Sequence, residues 1–149
     1  MRILVPLDGS PLAEAALSKA FALAKLPDAE VVLLQVVAPI TRVIENGDRI
    51  TVDQQWETER QQALSYLEAV RSRPGWAGAS VRVAVEMGDP AETIVDYAER
   101  TGMDWIVIST HGRSGVRRWV YGSVADKVLR GATTTVALVR AAGPGRPTS

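Results

Sequence analysis

Between Ser109 and Ser123 the chain reads S-T-H-G-R-S-G-V-R-R-W-V-Y-G-S, and here its residue types come closest to a binding chemistry. Gly112 and Gly115 carry no Cβ, so the backbone can take positive φ and approach a ligand closely. Successive N–H groups in such a turn form an anion-binding nest. Gly122-Ser123 adds the start of a helix, with its free N–H groups, the positive end of its dipole and a hydroxyl. Thr110, Ser114 and Ser123 supply further hydroxyls, and Arg113, Arg117 and Arg118 carry guanidinium groups able to pair with phosphate oxygens. The chemistry implied is that of holding a phosphate group. On layout alone the stretch also fits a glycine-rich strand–helix connection that binds nothing, and at least two of the arginines fit a solvated basic stretch.

Two better-known phosphate motifs are absent. There is no G-x-x-x-x-G-K-[ST], which excludes a P-loop, and no G-x-G-x-x-G after the first apolar run, which excludes a dinucleotide fingerprint. Asp8 closes the first run. Its carboxylate could accept hydrogen bonds from ribose hydroxyls or join phosphate around a metal; equally, it could close an Asx-type turn or cap the helix that follows. Val36 could form one wall of an adenine slot or be plain core. His111, the single histidine, has no carboxylate that can be assigned to orient it, so it reads as a structural hydrogen-bonding residue rather than a catalytic base. Trp119 reads as a packing residue.

The elements that must position these residues alternate regularly. Apolar runs occupy Arg2 to Leu7, Glu30 to Val37, Ser80 to Glu86, Asp104 to Ser109 and Thr135 to Arg140. The second and fourth are almost continuously apolar and β-branched, as strands buried on both faces of a parallel sheet must be. Helical segments lie between them. Ser10-Pro11 is a hydroxyl cap followed by proline at the first helical position, with Leu17, Ala20, Phe21 and Ala24 on one face. Thr51 to Gln54 fits a capping box that opens a helix to about Arg73, with Trp56, Leu64, Leu67 and Val70 as its buried side. Asp89-Pro90 opens a third helix, continued by Ile94, Tyr97 and Ala98. Gly122-Ser123 opens a fourth, with Val124, Val128 and Leu129 sharing a face.

This order predicts a single open five-stranded parallel sheet with helices on both faces. In such sheets ligands bind beyond the carboxyl ends of the strands, where the strand order switches. Asp8-Gly9-Ser10, Val36 to Pro39 and the stretch from Ser109 all follow strands and fall at that end. The segment from Ala38 to about Thr51 reads as a loop. The domain is expected to span residues 1–140, with 141–149 a disordered tail.

Composition narrows the field further. Of 149 residues, 46% are hydrophobic and 23% charged, as in a globular protein. Lys plus Arg and Asp plus Glu both number 17, so the overall field does not favour nucleic acid or an anionic membrane. The absence of cysteine excludes disulfides, thiol catalysis and cysteine-ligated metal. No run approaches the roughly 18 apolar residues of a membrane span, and the first residues lack a signal-peptide pattern. The expected location is the cytoplasm.

Four stretches together resemble the universal stress protein family: I-L-V-P-L-D-G-S (Ile3 to Ser10), L-L-Q-V-V (Leu33 to Val37), G-D-P-A-E-T-I (Gly88 to Ile94) and Ser109 to Leu129. H-G-R-S-G followed, after six intervening residues, by G-S-V is the specific part. The family's fold agrees with the layout above (a Rossmann-like parallel sheet). Many members bind ATP, and members often dimerise through the last strand. The nucleotide motif is glycine, two residues, glycine, nine residues, glycine and then Ser or Thr. Gly112, Gly122 and Ser123 match it, while Ser109 stands at its first glycine. Two further departures are Gln35, where histidine is common, and Thr135, where proline is. The resemblance implies a cofactor-binding set of Pro6, Asp8, Val36, Ser109, Gly112, Arg113, Gly115, Gly122, Ser123 and Val124, with Asp8 on ribose, Val36 on adenine and the glycines around the phosphates. It implies ATP, with Mg2+ as a companion, no catalytic residue, at most slow hydrolysis, and a homodimer. The alternative is a dimeric interaction module of the same fold that binds no nucleotide, which Ser109 favours.

Overall fold

The apolar runs become β1 (Arg2–Pro6), β2 (Glu30–Val37), β3 (Ser80–Met87), β4 (Trp105–Thr110) and β5 (Thr135–Arg140). Between them lie α1 (Pro11–Glu14), α2 (Leu17–Ala24), α3 (Arg49–Arg71), a 3-10 turn at Pro74–Trp76, α4 (Pro90–Arg100) and α5 (Ser123–Gly131). The structure is a computed structural model and describes residues 1–39, 49–110 and 123–141. All strand pairs are parallel, in the order β3-β2-β1-β4-β5. The chain thus builds outward from β1 to β3, then crosses to the other side of β1 for β4 and β5. That reversal puts the topological switch between β1 and β4, where adjacent connections leave in opposite directions and open a crevice.

Alternation along the strands explains why both faces are covered. On β2, Val31 and Leu33 pack into one buried cluster with Leu17, Ala20, Leu67, Val70 and Trp76. Val32 and Leu34 turn the other way, into a second cluster with Ile94, Ala98, Ile106 and Val128. Successive side chains of a strand point to opposite faces, so a strand covered on both sides must be apolar throughout.

Several helices depart from the sequence expectation. The segment after Ser10 is two helices rather than one. Ala15 N–H and Ala16 N–H bond back only three residues, to Leu12 and Ala13 carbonyls at 3.2 Å each, and this tight turn ends α1 and lets α2 start in the register that buries Leu17, Ala20 and Ala24. Phe21, half-buried, meets Trp76 edge-to-face with ring centroids 4.6 Å apart. Helix α3 already runs from Arg49, so Thr51 is inside it and not its cap. Its buried side is Ala63, Leu67 and Val70, with Trp56 and Leu64 only half-buried. In α5, Leu129 is 47% exposed and Ala125 takes the buried place beside Val128. One residue is a rotation of about 100°, which carries Leu129 out of the apolar stripe.

Candidate functional site

The turn after β1 is closed by its own side chains. Asp8 Oδ1 accepts from Ser10 N–H at 2.9 Å and from Ser10 Oγ at 2.6 Å. Ser10 Oγ in turn accepts from Ala13 N–H at 3.1 Å and caps α1. Gly9 sits between them at φ +87°, a backbone state that favours a residue without Cβ. Both local roles open to Asp8 resolve into one: it forms the Asx-type turn, and Ser10 is the cap. Among the described residues nothing bonds Asp8 Oδ2, and the residue is exposed, so one carboxylate oxygen faces outward with its lone pairs available.

A cleft of about 330 Å3 opens at the switch point. Pro6, Asp8, Val36, Ser109, Ser123 and Val124 all line it. Gly112, Arg113, Gly115 and Gly122, with His111, lie outside the described residues. Sequence reasoning left out Leu34, Ile108, Pro90, Ile94, Leu12 and Ala13, which also line the cleft. Two of these had a readable signal. Leu34 is two residues before Val36 on one strand and so shares its face, and Ile94 is one turn into a helix opened by Asp89-Pro90. The cleft is apolar on the β2–α4 side and carries Asp8, Ser109 and Ser123 on the other, the division expected of a site that takes a flat apolar ring and a polar tail. Volumes of about 300–1,000 Å3 are usual for small-molecule sites. Asp8 is the sole carboxylate on the described cleft lining, and no group of three or more His, Asp or Glu able to hold a metal occurs among the described residues.

At the end of β4, Ser109 is buried, and its Oγ donates to the Leu12 carbonyl at 2.5 Å. Thr110 Oγ1 and Gln35 Oε1 are buried with no hydrogen-bond partner among the described residues. Gln35 is on the face opposite Val36, with Leu33, and does not line the cleft.

Behind α1 lies a second polar group. Tyr66 Oη of α3 donates to Glu14 Oε2 at 2.6 Å, and Arg73 Nη2 pairs with Glu14 Oε1 at 3.1 Å. Burial, with the Glu14 carboxylate holding its proton and repelling a phenolate, pushes the Tyr66 pKa well above the usual tyrosine value. These residues are 52 positions apart in sequence, and nothing in their local pattern announces the contact.

The fold and the cleft define a class: an open parallel α/β domain with a mixed apolar and polar crevice at its switch point. The chain belongs to the universal stress protein family, whose model matches residues 1–140. Universal stress protein MJ0531 of Methanocaldococcus jannaschii is 33% identical over 143 residues, covering 93% of this chain and 81% of that one. The solved structure of MJ0577, a universal stress protein of the same organism, superposes with a TM-score of 0.80 at 28% identity, over 99% of this chain and 97% of that chain. Two further members share the fold: one solved in complex with cAMP (TM-score 0.63, 20% identity, 94% of this chain and 96% of that one) and one from Archaeoglobus fulgidus in complex with dAMP (TM-score 0.62, 22% identity, 93% and 97%). No helix among the described residues is long and apolar enough to cross a membrane.

Proposed function

We propose that this chain is an ATP-binding universal stress protein, a nucleotide-dependent module of a cytoplasmic stress response. The observation that carries the reading is the cleft itself. It joins an apolar slot for a base, walled by Val36, Leu34 and Ile94, to the free oxygen of Asp8 for ribose and the N-terminus of α5 for phosphate. Relatives of the same fold that hold cAMP and dAMP support an adenine ring as the occupant. In this reading Gly112, Arg113, Gly115 and Gly122 complete the phosphate end, and Mg2+ arrives with the phosphates, since one carboxylate cannot build a cage for it. Hydrolysis is slow. A water nucleophile needs an oriented base, and Asp8 is already held by Ser10.

Protein purified without added nucleotide, denatured by heat and analysed by chromatography, should release an adenine nucleotide. Protein stripped of it should be stabilised by ATP, by about 2.7 kcal/mol when ATP is at about 100 times its dissociation constant. No released nucleotide and no ATP-induced shift in melting temperature would end the reading and leave the interaction module in its place.

The same proposal includes a homodimer through β5. That strand is at the edge of the sheet, with no strand pairing its outer side among the described residues and Leu138 42% exposed. Leu138→Lys should convert a dimer to monomer in light scattering. A wild-type monomer at the same concentration contradicts this part alone.

A further inference from the structure

Ser109 stands where the family motif has a glycine, and on the motif alone it is a defect. The structure gives it a task. Its side chain is buried at the carboxyl end of β4, and its hydroxyl donates to the carbonyl of Leu12, 97 residues away in sequence, at 2.5 Å. Both Ser109 and Leu12 line the cleft. Helix α1, which carries Leu12 and Ala13 on the cleft wall, is four residues long and buries none of them. One helical turn has no stability of its own, so its placement depends on what ties it down. Among the described residues, besides the packing of partly buried Ala13 against the core, three polar ties are present: the Ser10 cap, the Glu14 carboxylate bonded to Tyr66 and Arg73, and Ser109. Only the last connects α1 directly to β4, across the switch point.

We propose that Ser109 is a positioning residue. Its hydroxyl holds α1 as the wall of the cleft, so that serine, and not the motif's glycine, is what nucleotide binding in this chain requires. The hydrogen bond directs the Ser109 hydroxyl to α1. The proposal rests on the nucleotide reading above. It makes the opposite forecast from the motif: restoring glycine weakens binding.

The test compares wild type with Ser109→Gly, Ser109→Ala and Tyr66→Phe, the last cutting a different tie to α1 while leaving Ser109 in place. Calorimetric titration with ATP reads the affinity of the folded protein. Hydrogen exchange of the ligand-free chain reads protection of the amides of Ala13 to Ala16, in α1 and the turn that ends it, whatever binds in the cleft. Loss of one hydrogen bond is expected to weaken ATP binding about threefold to tenfold in each Ser109 variant, with faster exchange at α1 in all three. Ser109→Gly binding as well as or better than wild type overturns the proposal, as does a fall in melting temperature with unchanged affinity, which is the mark of a merely structural serine. If wild type binds no ATP, the nucleotide reading fails. Exchange at α1 then judges the tie separately: unchanged protection in Ser109→Ala shows that the hydroxyl does not hold the helix. Should the Ser109 variants not fold, unchanged ATP affinity and unchanged α1 exchange in Tyr66→Phe would overturn the proposal that tethering of α1 sets the cleft.

Discussion

Two helices reach the cleft from opposite faces of the sheet, α1 and α4, and they begin alike. Ser10-Pro11 and Asp89-Pro90 each place a capping side chain before a proline at the first helical position. Each cap accepts a backbone N–H three residues on, from Ala13 and from Glu92, at 3.1 Å in both cases. Beyond that first turn they differ. Helix α4 continues for 11 residues and buries Ala91, Ile94 and Ala98, so apolar area removed from water holds it. Helix α1 stops after four residues and buries none; only Ala13 packs, partly buried, against the core, and the rest of its hold comes from the Ser109, Tyr66 and Arg73 ties. The same start signal therefore produces a wall fixed by packing on one side and a wall fixed by hydrogen bonds on the other. In an anchored helix, position follows from the helix's own periodicity. In a tethered one it follows from partners far away in the chain.

The largest effect should come from breaking the packed wall. Ile94→Ala removes a buried side chain and should cost about 2–5 kcal/mol in chemical denaturation. A loss below about 1 kcal/mol would mean that α4 is not held by burial. Next is the ligand side of the tethered wall. Asp8→Ala should weaken ATP binding by about 1–3 kcal/mol in calorimetry, because the group lost is a charged acceptor; unchanged affinity would remove Asp8 from the ribose. Cutting the two caps sharpens the contrast. Asp89→Ala and Ser10→Ala each forfeit about 1 kcal/mol of capping, but the first should lower the denaturation midpoint, while the second should appear mainly as faster hydrogen exchange within α1. Equal effects on the midpoint would erase the distinction between the helices. The smallest effect is spectroscopic. With its pKa raised in the folded state, Tyr66 favours folding below the ordinary tyrosine range near about 10, and that contribution is lost as pH rises above it. Tyr66→Phe should delete a phenolate component that titrates above the ordinary tyrosine range in the ultraviolet; an unchanged titration would contradict a raised Tyr66 pKa.

The same contrast decides what could be read from the sequence. A strand buried on both faces is written as an unbroken apolar run, and β2 has its expected ends; β5, only partly buried at the sheet edge, has them too, and the others agree within one residue. Asp89-Pro90 with Ile94 and Ala98 at helical spacing marks the start and the buried face of α4, though not its end at Arg100. Asp8, Val36, Ser109 and Ser123 stand at strand ends and a helix start, which are local features, and they line the cleft together with Pro6 and Val124, which only the family resemblance singles out. The break between α1 and α2 was not legible, since three-residue hydrogen bonding at Ala15 and Ala16 has no composition signal among alanines. Nor were the ties of α1, whose partners lie 97 and 52 residues off. The start of α3 was misplaced because Thr51-x-x-Gln54 satisfies a capping pattern inside a helix that begins at Arg49. Leu129 does not share the face of Val128, because one further residue of helix rotation turns it outward.

The central claim is that an adenine nucleotide occupies the crevice between β1 and β4. Photolabelling with 8-azido-ATP, followed by peptide mapping, tests it most directly. The azide sits on the adenine ring, so label should fall on the slot residues, in the segments of Leu34 to Val36 and Pro90 to Ile94, and excess ATP should abolish it. Label elsewhere in the chain, or label that ATP does not displace, would contradict the account.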